Sequence, residues 1–349
     1  MRNLLDWRRI AGILVAAGLL VLTFHNVNLG ELWRDLKSIR PLYLVTAFVS
    51  AVGMNWAKGM RWREIILPIR PITQTRAFSL FHVGQMINLS LPVLTGQAGR
   101  IVMLAKQENL SKTFCLTTIA LEVLFDGISL VILMYLTSFV FPFSEDFRFK
   151  QICVAVVLGV VILIIVTILR NQRALEYFGK KRLRRRFPRL YGSLRKWAKS
   201  VADGLEALNS WTQIVKIGFY SVLVWIFHIG AAVSLIMAFE FAVDDWAKMV
   251  EIGLVVIVVN SIMLLVPISP GNIGSFQFVV KGTLVELFKV SSAKATAFSL
   301  LMHFMDVVPV FIIGILFLFT NQFAFRKLRE EAVAKVRESD ESESVENKN

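Results

Sequence analysis

The residues best suited to chemistry are Arg100, Glu122, Asp126, His303 and Asp306, together with two proline–glycine turns. Glu122 and Asp126 are four apart, and His303 and Asp306 three apart, so each pair shares one face of a helix. Arg100 closes the turn LPVLTGQAGR (Leu91–Arg100), which has a counterpart in VPISPGNIGS (Val266–Ser275). Aligned without gaps, Pro92 falls on Pro267, Gly96 on Gly271 and Gly99 on Gly274. A helix starting after such a turn offers unpaired N–H groups to an anion, and a guanidinium adds bidentate phosphate binding. The constellation suggests a phosphate group held near Arg100 and the turns, with carboxylates close by. The competing reading is structural: Arg100 pairs with Glu122 or Asp126 and meets no substrate.

Other chemistries find little support. Glu122 and Asp126 with His303 match no metal-binding motif, and Cys115 and Cys153 sit in apolar runs without ligand spacing. No G-x-S-x-G, phosphate-binding loop or dinucleotide fingerprint occurs. We therefore expect no metal, no cofactor and no enzymatic activity.

The elements that must position these residues lie in a membrane. The chain is 56% hydrophobic and 18% charged, with mean hydropathy +0.62, far from soluble averages. Runs at 10–27, 41–57, 113–140, 150–170, 214–241 and 295–320 approach or exceed the roughly 20 residues that span a bilayer. The first follows a basic N-terminus without a convincing cleavage site and reads as a retained signal anchor. The net charge of +14 is concentrated between Arg170 and Lys199, where twelve basic residues face one acid, Glu176. Beside a span, such a cluster marks the cytoplasmic side and attracts anionic head groups, so nucleic acid is not an expected partner. Leu190, Leu194, Trp197, Val201, Leu205 and Leu208 recur at helical spacing within and beyond it, predicting a basic amphipathic helix on the inner leaflet.

Placing 171–213 inside fixes the rest. Residues 77–111 then begin and end on the cytoplasmic face, while 247–291 begin and end outside. Each would be a re-entrant hairpin tipped by a Pro/Gly turn, and the two would enter from opposite faces. The expected fold is an all-α polytopic membrane protein with about six full spans and two re-entrant helical hairpins related as an inverted repeat. The membrane domain covers 1–327, comprising a first half (1–170), the basic loop (171–213) and a second half (214–327). A charged tail (328–349), too polar to bury a core, should be disordered in the cytoplasm. Both termini are placed inside, in a bacterial or archaeal cytoplasmic membrane.

Several polar residues receive plainer readings. Arg61 and Arg63 flank Trp62 as interfacial anchors, and Lys58 belongs with them to the positive inner face. His228 reads as a helix-packing histidine, and Asn88 and Asn260 as hydrogen-bonding glue between helices. Lys281 and Glu286 are candidates to line an outward cavity.

At INLSLPVLTGQAGR (Ile87–Arg100), TTIALEVLFDG (Thr117–Gly127) and PISPGNIGSFQF (Pro267–Phe278), the chain resembles the lysylphosphatidylglycerol synthase transmembrane, flippase-like family. The resemblance spans most of residues 10–320. It implies roles for Gly96, Arg100, Asp126, Pro270, Gly271 and Gly274. Where the family usually has glutamate, this chain has Gln97 and Gln277, and Val123 stands where an arginine is common. Both turns have thus lost a carboxylate, which keeps hydrogen bonding but removes titration. A cationic aminoacylated lipid is accordingly less secure as substrate. Synthase members also carry a soluble acyl-transfer domain, where this chain has a short acidic tail.

Two functions fit. The first is a translocase moving a polar or phosphate-headed lipid, an anionic phospholipid or a polyprenyl phosphate, between leaflets. Its head group would contact Gly96, Gln97, Arg100, Glu122, Asp126, Pro270, Gly271, Asn272, Gly274, Gln277, His303 and Asp306. Without an ATPase motif, movement would be facilitated or ion-coupled. The alternative is a non-transporting subunit that presents a lipid-linked intermediate to a lipid-modifying enzyme or glycosyltransferase.

Overall fold

Unbroken apolar runs without strand-like alternation form helices, because only a helix satisfies every backbone group within its own segment in lipid. A computed structural model of the protein describes residues 14–90, 95–170, 210–241, 245–263 and 269–320. Among the described residues there is no strand. The helices are α1 (Leu14–Phe24), α2 (Leu29–Lys37), α3 (Pro41–Ile66), α4 (Gln74–Ser90), α5 (Thr95–Glu108), α6 (Lys112–Val140), α7 (Glu145–Arg170), α8 (Trp211–Ala238), α9 (Trp246–Met263), α10 (Ser275–Phe288) and α11 (Ser292–Thr320). A short 3-10 turn, Pro270–Asn272, precedes α10. The basic helix expected within 171–213 falls almost wholly outside the described residues, as does the tail.

Lengths recur between the halves. Helices α3 to α6 run 26, 17, 14 and 29 residues, and α8 to α11 run 28, 18, 14 and 29. Among the described residues α6, α8 and α11 are long and apolar enough to cross a bilayer, and α1 with α2 would make a fourth only as one span bent by 85°. That bend interrupts the segment read from sequence as a single span at 10–27. Asn28 caps α2 through its side chain, accepting from the Gly30 and Glu31 N–H groups, and Lys281 donates to the Thr23 and His25 carbonyls. The bend is therefore satisfied at both ends, and this, rather than a cavity lining, is where Lys281 is engaged; Glu286 is exposed. Helix α3 outruns the expected 41–57 because it continues through Lys58–Ile66, giving about 39 Å at 1.5 Å per residue.

The central pairing is antiparallel, α3 along α8. Arg40 pairs with Glu240 at one end. Gly53 meets Phe227 and Gly230 meets Ser50 in the middle, and Glu64 takes Lys216 and Gln213 at the other end. Small residues at the crossing let the two backbones approach, the usual source of packing energy where burial from water is not available.

Each half also folds into a helical hairpin. In the first, α4 and α5 run antiparallel: Gly84 abuts Arg100, Gly99 abuts Ile87, and Arg76 reaches the Gln107 carbonyl and Glu108 at the base. In the second, Lys248 at the start of α9 lies over the Phe288 ring at the end of α10. The tips meet. A Cβ built on Gly271 would lie 3.0 Å from the Leu89 carbonyl oxygen, so the second turn rests directly on the last turn of α4.

The approach at Gly84 can be tested. In a free helix Gly→Ala gains up to about 1 kcal/mol. Here the new Cβ would sit 2.8 Å from the Arg100 Cβ, with backbone fixed on both sides. Overpacking of that kind costs about 1–3 kcal/mol and should win. Thermal melting of purified Gly84→Ala in detergent is expected to show a lower midpoint than the parent; an increase would mean that the hairpin limbs are not in contact there.

Candidate functional site

Near Gly271 and the end of α4 lie two ion pairs and a cavity. Arg100 on α5 is 1% exposed, with its guanidinium against the Glu122 carboxylate of α6. Two aromatic rings that touch each other pack against it, with centroids 4.6 Å (Trp62) and 5.1 Å (Phe81) from its central carbon. Arg61 on α3 is fully buried, donates to Asp126 at 2.6 Å and lies 3.9 Å from Glu122. It also reaches the Ser221 hydroxyl of α8 at 3.4 Å. Two guanidinium groups thus meet two carboxylates, and three helices and the first hairpin are bound through them. Helical spacing accounts for the pattern, since Glu122 and Asp126 share the α6 face that looks toward α3.

Sequence reasoning missed Arg61. Its neighbour Trp62 suggested a membrane interface, yet both side chains are fully buried. The usable signal was Glu122 together with Asp126: two intramembrane carboxylates call for two cations, and Arg100 supplies one.

The second tip is closed by its own polar groups. Gly271 and Asn272 adopt left-handed φ of 58° and 56°, and Gly274 has φ 85°, which explains the glycines here. The Gly274 N–H donates to Gln277 Oε1 at 2.7 Å. Gln277 Nε2 donates to His303 Nδ1 at 2.7 Å, and His303 Nε2 donates to the Gly271 carbonyl at 3.0 Å. The Ser269 and Ser275 hydroxyls donate to the Ile273 and Asn272 carbonyls. In this relay Gln277 accepts and donates at once. An ionised glutamate could do only the first, so the departure from the family pattern matches the local hydrogen bonding.

A cavity of about 720 Å³ opens where the tips meet α3, α6, α7, α8 and α11. Of the residues singled out from sequence, Asp126, Gly271, Asn272, His303 and Asp306 line it. Arg100 and Glu122 lie behind its wall, as do Gly274 and Gln277. Gly96 and Gln97 sit in the first turn of α5 and Pro270 opens the 3-10 turn, their side chains being outside the described residues. The cavity also recruits residues given plainer readings. His228 lines it and also packs between α8 and α11, with Nε2 3.8 Å from Asp306; Asn260 and Lys58 line it too. Among the described residues no group of three or more His, Cys, Asp or Glu side chains is placed to hold a metal ion.

The ion pairs predict an order of damage. Glu122→Gln leaves the buried Arg100 unmatched, a loss of about 3–5 kcal/mol. Asp126 is 43% exposed on its side chain, and Arg61 keeps Glu122 nearby, so Asp126→Asn should cost less. Thermal melts of the two variants in one detergent decide it; equal or reversed losses would mean that Arg100 is not held by Glu122.

No curated protein and no solved structure matches this chain. From residue 9 to residue 314 it matches the family described as the lysylphosphatidylglycerol synthase TM region, so this all-helical chain belongs to that family of membrane proteins related to lipid handling.

Proposed function

We propose that the protein is a translocase that carries the phosphate-bearing head group of a lipid between leaflets while the acyl chains stay in the bilayer. The observation that supports this most is the meeting of the tips: Gly271 on Leu89, at the mouth of a cavity with a polar floor and an apolar wall. Broken helices facing each other from two halves of a chain are how many transporters build a central site. The repeated helix lengths and the antiparallel α3–α8 axis support the inverted repeat this requires. Each hairpin would then be re-entrant, and rocking of one half against the other would expose the cavity alternately to the two sides. The cavity wall from α6 and α7, including Val123, Leu130, Val157 and Leu158, offers a lateral path for chains.

Charge sets the chemistry of transfer. Moving a bare phosphate through hydrocarbon is prohibitive, and a polar groove with fixed donors replaces the water it loses. Because Arg61 and Arg100 are neutralised by Asp126 and Glu122, they hold the cavity's walls in place instead of trapping the lipid.

Reconstitution tests the proposal. Purified chain in proteoliposomes should accelerate leaflet exchange of acyl-labelled phospholipids well above protein-free vesicles. Gly271→Leu should lose that exchange while still inserting, because a side chain at φ 58° would clash with the Leu89 carbonyl. Lipid binding without exchange would instead identify a subunit that presents lipid to an enzyme.

A further inference from the structure

Resting on the reading that this cavity receives a lipid head group, we infer that the head group is zwitterionic: a phosphate together with a primary amine. The argument is one of charge matching. The ion pairs Arg61–Asp126 and Arg100–Glu122 cancel within the protein. That leaves, among the described ionisable side chains lining the cavity, one ammonium and one carboxylate without a matching partner.

The ammonium is Lys58, which forms no hydrogen bond and no ion pair among the described residues, although it is the charged neighbour of both His228 and Asp306. The carboxylate is Asp306, which forms no ion pair with a Lys or Arg among the described residues; the His228 imidazole stands beside it, Nε2 at 3.8 Å, beyond hydrogen-bond reach. Lys58 and Asp306 face one space and do not touch. Were the cavity meant only to be stable, the two would be expected to close on each other.

Neutral groups repeat the division. Trp225 and His228 line the cavity, and their ring nitrogens are buried without partners, that of Trp225 always a donor. Asn260 is 1% exposed, and its Oδ1 has no partner. Buried polar atoms are nearly always paired, so orphans of both kinds in one cavity mark where a ligand's own donors and acceptors belong. A phosphate placed at Lys58 and the Trp225 N–H, with an ammonium at Asp306 and Asn260 Oδ1, satisfies four of these five groups and leaves His228 Nε2. A purely anionic head group would leave Asp306 facing like charge, and a purely cationic one would do the same to Lys58. The apolar wall, Val154 and Val157 of α7 among it, favours a head group with chains attached.

The test reads binding rather than transport. Purified full-length protein in detergent is melted with phosphatidylethanolamine, phosphatidylglycerol or chain-free glycerophosphoethanolamine. Phosphatidylethanolamine should give the same stabilisation at about tenfold lower concentration than phosphatidylglycerol, the worth of one charge-assisted bond to the amine. Asp306→Asn should erase that preference. Lys58→Met should weaken both lipids alike, and Lys58→Arg should restore them. Stabilisation by glycerophosphoethanolamine with the same Asp306 dependence supports the chemistry but moves its source to a soluble phosphoamine. A wild-type preference for phosphatidylglycerol, or no preference, overturns the inference whatever the variants do, as does a preference that survives Asp306→Asn. Selective binding without leaflet exchange would sink the translocase and leave this inference standing; unselective exchange would do the reverse.

Discussion

The structure depends on one constraint: a backbone broken in an apolar setting must have every freed N–H and carbonyl satisfied by something other than water. The second hairpin meets it locally, through the Gly274–Gln277–His303–Gly271 relay and the serines around it. That relay fixes more than the turn. His303 belongs to α11, so closing the tip also sets how α10 and α11 sit, with the Phe276 ring stacked on the imidazole at 4.8 Å. The tip then lies on the last turn of α4, and the cavity opens beside that contact.

Electrostatics does complementary work in the first half. Burying two guanidinium groups and two carboxylates is expensive, and it is tolerated only where the charges are paired and well bonded. Arg61 and Arg100 each find a carboxylate, and Arg100 also packs against the Trp62 and Phe81 rings, although two nitrogens of each guanidinium have no hydrogen-bond partner among the described residues. The pairs lock α3, α5 and α6 together and leave the adjacent cavity with little net field. The arginines thus belong to the wall, while Lys58 and Asp306 line the space where the proposed head group would meet them.

Much of the architecture was legible in the sequence. The helices near 41, 113, 150, 214 and 295 follow from unbroken apolar runs, and the two interruptions from matched prolines and glycines. The 85° bend after α1 was not legible, because nothing in Ile10–Val27 breaks helical periodicity; Asn28 and Lys281, 253 residues apart, make it together. The site was read in part. Spacing along one helix picked out Asp126 and Asp306. Arg61 was misassigned because it sits beside Trp62, a residue typical of an interface. What decides its role is the antiparallel registration of α3 and α8, a long-range fact that local spacing does not carry.

The most direct measurement is to lock the tips together. In a chain lacking Cys115 and Cys153, Leu89→Cys and Asn272→Cys would be bridged by a cleavable thiol cross-linker after reconstitution into vesicles. If the tips gate the cavity, bridged protein keeps lipid binding, loses leaflet exchange and recovers it on cleavage. Exchange that continues at the uncross-linked rate with the bridge intact would contradict the account, since the tips would then be scaffold and the path would lie elsewhere.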